Sequence, residues 1–187
     1  MNDELSLMLS THQPARRAAL LSLVGAFGGL ALGSKGARAG PKSEISHSAD
    51  AIHQEPVFTA SPERVYQALM DPRQFSRVIK LSGALEALHL PDTAAEISGE
   101  AGGAFALYGG FITGRHIELV PNVRIVQAWR PGDWPPGVFS IARFELIGQK
   151  STCKIVFDHT SIPKGTAVSL ASGWKSHYWE PLAKVLA

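Results

Sequence analysis

Between Gly102 and Trp134, apolar and polar residues alternate in three short runs, broken by Gly109-Gly110 and by Pro121-Asn122. Successive side chains of a strand point to opposite faces. A period of two therefore predicts strands, and the Gly-Gly and Pro-Asn pairs predict the turns between them. Phe105 and Leu107 share a face of the first run. In Phe111 to Val120, His116 and Glu118 share one face while Arg115, Ile117 and Leu119 share the other, and the His116 face is expected to meet water. In Val123 to Arg130, Arg124 and Arg130 lie opposite Ile125, Gln127 and Trp129, which sends Trp129 inward. The whole stretch is expected to be the middle of a curved antiparallel sheet, serving as the wall of a pocket rather than carrying catalytic side chains.

The pattern extends in both directions. Asp50 to Thr59 reads as a first strand with Ile52, Gln54, Pro56 and Phe58 on one face, and Pro56 fits only an edge or a bulge. Ser61-Pro62 is an N-cap followed by a first helical residue, with Val65, Leu69 and Met70 on one face beyond it. Asp71-Pro72 repeats that signal for a second short helix carrying Phe75, Val78 and Ile79, and Ser82-Gly83 is a break. Glu96 to Ser98 is a weak short strand. After a loop at 131–137, Val138, Ser140, Ala142, Phe144 and Leu146 face inward, followed by Cys153, Ile155 and Phe157 in the last strand. Six or seven strands joined at hairpin length predict an antiparallel sheet.

Past Pro163-Lys164-Gly165 the period becomes helical. Leu170, Trp174, Tyr178, Leu182 and Val185 form one stripe from about Ala167 to Leu186, with Trp179 off it and expected to be partly exposed or to touch a partner. Pro181 has no N–H, so the His177 carbonyl loses its helical partner and a kink is expected. The predicted fold is α+β: a curved antiparallel sheet around a long C-terminal helix, with two short helices after the first strand, over residues 50–187. A gap between sheet and helix would be a binding cavity. Its candidate lining is Phe105, Leu107, Ile117, Ile125, Trp129, Phe144, Ile155, Trp174 and Tyr178.

Composition changes this picture mainly at the N-terminus. Of 187 residues, 45% are hydrophobic and 18% charged, which supports a packed core. The formal charge of +2 belongs to residues 1–39, which carry Arg16, Arg17, Lys35 and Arg38 against Asp3 and Glu4. The remainder is formally neutral, leaving no basic stripe for nucleic acid. Arg16-Arg17 leads into the apolar run Ala18 to Leu32 and then Ala37-Arg38-Ala39, the order of a cleaved export signal, and the arginine pair resembles the twin-arginine type. The expectation is an export signal over 1–39, a flexible lead-in over 40–49, and a periplasmic or secreted domain released near Ala39-Gly40.

Candidate chemistry is sparse. Cys153 is the single cysteine and is expected to be a small buried residue. Asp158 and His159 are neighbours in a strand and point to opposite faces, so they form no dyad, and His159 is expected to turn inward and be satisfied by hydrogen bonds. Asp133 could line a pocket mouth, although turn chemistry accounts for it. There is no phosphate loop, dinucleotide fingerprint, nucleophile elbow or zinc spacing, so neither cofactor nor metal nor catalytic residue is assigned.

Three pieces carry a resemblance: Phe58 to Phe75, Gly102-Gly103-Ala104-Phe105 through Trp129-Arg130 to Trp134, and Gly173-Trp174 with Tyr178-Trp179-Glu180-Pro181-Leu182. They resemble the helix-grip fold of the START-like (SRPBCC) superfamily. Within it they are closest to the domain named for the C-terminal half of the heat-shock protein 90 ATPase activator. The resemblance implies a single domain that binds an apolar small molecule or lipid between sheet and helix. It offers two alternatives, a protein-binding module like the activator and a cyclase or hydrolase of the same superfamily. The eukaryotic activator has a further N-terminal domain for which the leader leaves no room, and export leads away from a cytosolic chaperone, so the chaperone role is expected not to carry over.

Overall fold

A computed structural model describes residues 49–187; the expected export signal and nearly all of the lead-in lie outside the described residues. The first strand is split. β1 (Ala49–Gln54) and β2 (Val57–Phe58) flank Pro56, and both pair with the last strand. Pro56 cannot donate, but its carbonyl accepts from the Ile155 amide at 2.9 Å, so the break stays attached to the sheet. Among the described residues this split makes eight strands where six or seven were expected.

α1 (Pro62–Met70) and α2 (Pro72–Ser82) start as their caps dictate. The side chains of Ser61 and Asp71 accept from the amides of Arg64 and Gln74. Gly83 ends α2 with a φ of 67°, and the short α3 (Ala84–Ala87) follows. The antiparallel meander is β3 (Glu96–Ile97), β4 (Ala104–Leu107), β5 (Ile112–Val120), β6 (Arg124–Pro131), β7 (Ser140–Gln149) and β8 (Thr152–Pro163). The sheet order is β1-β8-β7-β6-β5-β4-β3. Pro121 and Asn122 occupy the centre of the β5–β6 turn, with Asn122 at a φ of 63°.

Parity predicts the faces of β6, β7 and β8. Ile125, Trp129, Ser140, Ala142, Phe144, Cys153, Ile155 and Phe157 are buried, while Arg124 pairs with Glu118 and Glu145 on the outer face. It fails on β5. A bulge between His116 and Glu118 inserts Ile117 as an extra residue, so two residues of β5 oppose one step of β6. The two expectations for this strand are therefore corrected. His116, expected in water, is 1% exposed, and Ile117, expected inward, is 52% exposed.

The C-terminal helix is α4 (Ala167–Gly173), a π turn (Trp174–Trp179) and α5 (Glu180–Leu186). A π turn bonds residue i to i+5 and so brings Trp174 and Trp179 to one side. Their rings stack at 5.5 Å and 22°. Trp179 is thus buried, not half-exposed as the regular helical period implies, and its indole donates to Gln54 Oε1 at 2.6 Å. Pro181 lies where the π turn passes into α5, and Tyr108 Oη donates to the His177 carbonyl at 2.6 Å, supplying the partner that Pro181 cannot. α1 and α2 pack against the C-terminal part of this helix, and α1 also meets β7 and β8.

Candidate functional site

The middle of the grip is filled. Trp174 lies 4.4 Å from Phe157 and 5.5 Å from Trp129, centroid to centroid, and Phe144 meets Phe157 at 4.9 Å. Phe105, Leu107, Ile125 and Phe144 surround a space of only about 10 Å³, at the lower limit for one water. Ile155 is fully buried among its neighbours. These five residues sit in the core, and Ile117 lies outside.

The open space is at one end. A half-open cavity of about 340 Å³ is lined by Trp129, Trp174 and Tyr178 from the expected set, joined by Tyr108, Phe111, Ile112, Trp134, Leu170, Gly173 and His177, with Ala84 and Leu88 opposite. Antiparallel connection explains the convergence. The β4–β5 turn, the β6–β7 loop and the β8–α4 connection all fall at the same end of the sheet. Gly109 and Gly110 take φ values of 65° and 85°, the tight turn that sets Tyr108 and Phe111 on either side of it. The 131–137 loop brings Trp134 within 5.9 Å of Trp129 and Asp133 to the mouth.

Behind the cavity lies a buried polar relay. Trp174 Nε1 donates to His159 Nδ1 at 2.9 Å, and His159 Nε2 meets Ser140 Oγ at 2.6 Å. An indole nitrogen only donates, so Nδ1 accepts and the proton sits on Nε2, directed at Ser140. Ser140 in turn donates to the Trp129 carbonyl at 2.9 Å. A nucleophilic serine would need the opposite tautomer, with Nε2 free to take its proton. The relay is structural, and burial holds the His159 pKa down to about 4. Asp158 points the other way and pairs with His53 at 2.7 Å on the surface. Burial raises the Tyr108 and Tyr178 phenols, which stay protonated. Among the described residues no group of three His, Cys, Asp or Glu is placed to hold a metal ion, and no helix is long and apolar enough to cross a membrane.

A curved antiparallel sheet closed over a C-terminal helix, with a cavity at its open end, defines a helix-grip domain of the START-like class. Residues 59–187 match the family described as "Activator of Hsp90 ATPase homolog 1-like protein", and the chain belongs to that family. The human activator of 90 kDa heat shock protein ATPase homolog 1 is 27% identical over 113 residues, 60% of this chain and 32% of that protein. The chain thus matches about a third of this relative's length. A solved HSP90 activator from Plasmodium falciparum superposes with a TM-score of 0.63 at 22% identity, covering 73% of this chain and 95% of that one. CalU16 from Micromonospora echinospora gives 0.59 at 19%, over 74% and 77%. At these identities the two structures support the fold.

Proposed function

We propose that this chain binds an apolar small molecule or lipid in the cavity at the open end of the grip. The observation that carries this reading is a half-open space of about 340 Å³ with six aromatic side chains in its lining, within the 300–1,000 Å³ of ligand sites. Binding would come from apolar burial, about 25 cal/mol per Å² before the costs of ordering. The filled middle of the grip limits the ligand to the end bounded by Trp134 and Leu170. Organic extraction of the purified protein followed by mass spectrometry is expected to recover a co-purifying apolar molecule. Repeated recovery of none, with no binding of small aromatic probes at millimolar concentration, would reject the reading.

The leader favours export as part of the same proposal, tested by finding the processed form outside the cytoplasm. Family membership favours a second reading, a protein-binding module that stimulates a chaperone ATPase. Stimulation of a purified 90 kDa heat-shock ATPase that survives filling of the cavity would favour this module over the ligand-binding reading.

A further inference from the structure

The cavity walls are unusual in two respects. Six of the lining side chains are aromatic: Tyr108, Phe111, Trp129, Trp134, Trp174 and Tyr178. They come from the β4–β5 turn, β6, the β6–β7 loop and the helix, so the rings enclose the space from several sides rather than forming a single stack. Trp134 stands at 78° to Trp129, Trp174 at 38° to Trp129, and Tyr108 at 45° to Tyr178. The second respect is charge. The one acidic side chain of the lining is Asp133, at the mouth, and no lysine or arginine lines the space. The nearest cation in sequence, Arg130, is not part of the lining: its guanidinium donates to the Trp134 carbonyl at 2.6 Å and lies 5.8 Å over the Phe139 ring.

Aromatic faces carry negative potential and attract cations whose hydration shell is weak enough to shed, and alkylated ammonium groups are the prime case. A carboxylate at the entrance adds attraction of the same sign, and no lysine or arginine lines the space itself. We propose that the ligand carries an alkylated ammonium group, seated among the aromatic rings with Asp133 at the entrance, while Ala84, Leu88 and Leu170 take its apolar arm. This rests on the small-molecule reading above and specifies its chemistry.

The test uses the whole chain and a matched pair, choline and 3,3-dimethylbutan-1-ol, in which carbon replaces the charged nitrogen at the same shape. Calorimetry and the shifts of the indole N–H resonances report binding of each. Choline is expected to bind about three- to thirtyfold more tightly. Asp133→Asn, at an exposed position, is expected to narrow that ratio, and Trp134→Leu to narrow it further, with the thermal unfolding midpoint of each variant reporting an intact fold. Equal binding of the pair overturns the charge inference and leaves an apolar site standing. Failure of both to bind overturns the charge inference too, and the extraction and aromatic-probe experiments then decide the small-molecule reading separately. Vesicles then separate the sources. Co-sedimentation with phosphatidylcholine but not phosphatidylglycerol assigns a lipid headgroup. Co-sedimentation with neither, alongside choline binding, assigns a free base, and preference for phosphatidylglycerol contradicts the proposal.

Discussion

His159 lies on the inner face of β8 with no solvent exposure and a proton on Nε2 only. Protonating Nδ1 would set two N–H groups against each other, and burial already disfavours the charge. Its pKa falls from 6.5 to about 4, so between these values the unfolded chain binds a proton that the folded chain does not. Stability is therefore full above about pH 6.5 and falls as pH drops toward 4, by about 3 kcal/mol in total. The depressed His116, also buried, acts in the same direction. Urea titrations at pH 7.5 and 4.5 check this, and an unchanged midpoint would show that His159 is not a buried neutral imidazole. Gly114 gives a second prediction at this scale. A Cβ there would stand 2.0 Å from the Ala128 carbonyl oxygen and 2.4 Å from Phe105 Cζ, so Gly114→Ala forces β5, β6 and that ring apart. A loss of about 1–3 kcal/mol in chemical unfolding is expected. The inward turn of His159 was legible from strand parity. Its partners were not, because parity assigns a face and says nothing of which residue stands across it.

Among the elements, β6, β7 and β8 were readable because each keeps arginine, lysine or aspartate on one face and large apolar residues on the other. β5 was misread because a bulge shifts the period by one residue without a sequence mark, and His116 and Ile117 exchanged places as a result. The C-terminal helix was legible as a stripe, but a π turn changes which residues share a side, and that brought Trp179 into the core. The His177 carbonyl that Pro181 orphans is bonded instead by Tyr108 from the β4–β5 turn. Tyr108→Phe keeps the ring and removes that bond. It is expected to cost about 1–2 kcal/mol and to speed amide exchange between Trp174 and Leu182 relative to the sheet. Uniform protection across helix and sheet in the variant would mean that the π turn is held by other contacts.

The molecule as a whole grips its helix so tightly that the space expected between sheet and helix is displaced to one end. Phe105, Leu107, Ile125, Phe144 and Ile155 form the core behind it, and only Trp129, Trp174 and Tyr178 of the expected lining reach the cavity. Hydrophobic pattern alone cannot separate a packed interior from the wall of a void, since both ask for large apolar residues facing inward. The missing signal was topological. Counting strands puts the Gly109-Gly110 turn, the 131–137 loop and the entry to the helix at one end, where the local pattern marks Phe111 only as the start of a strand and Trp134 only as a loop residue. Gly173 offers the most direct test of whether that end holds a ligand. It lines the cavity, its φ of −60° suits any L-residue, and the nearest atom to an added Cβ is His177 Cδ2 at 3.9 Å. Gly173→Leu should therefore occupy the space while favouring the helix by about 0.5–1 kcal/mol. The decisive measurement is a tryptophan-fluorescence titration of the parent protein and Gly173→Leu with a small aromatic probe, alongside thermal unfolding of both. The cavity account predicts saturable binding by the parent and at least about a tenfold loss in a variant whose midpoint is unchanged or raised. Equal binding by the two proteins would contradict it.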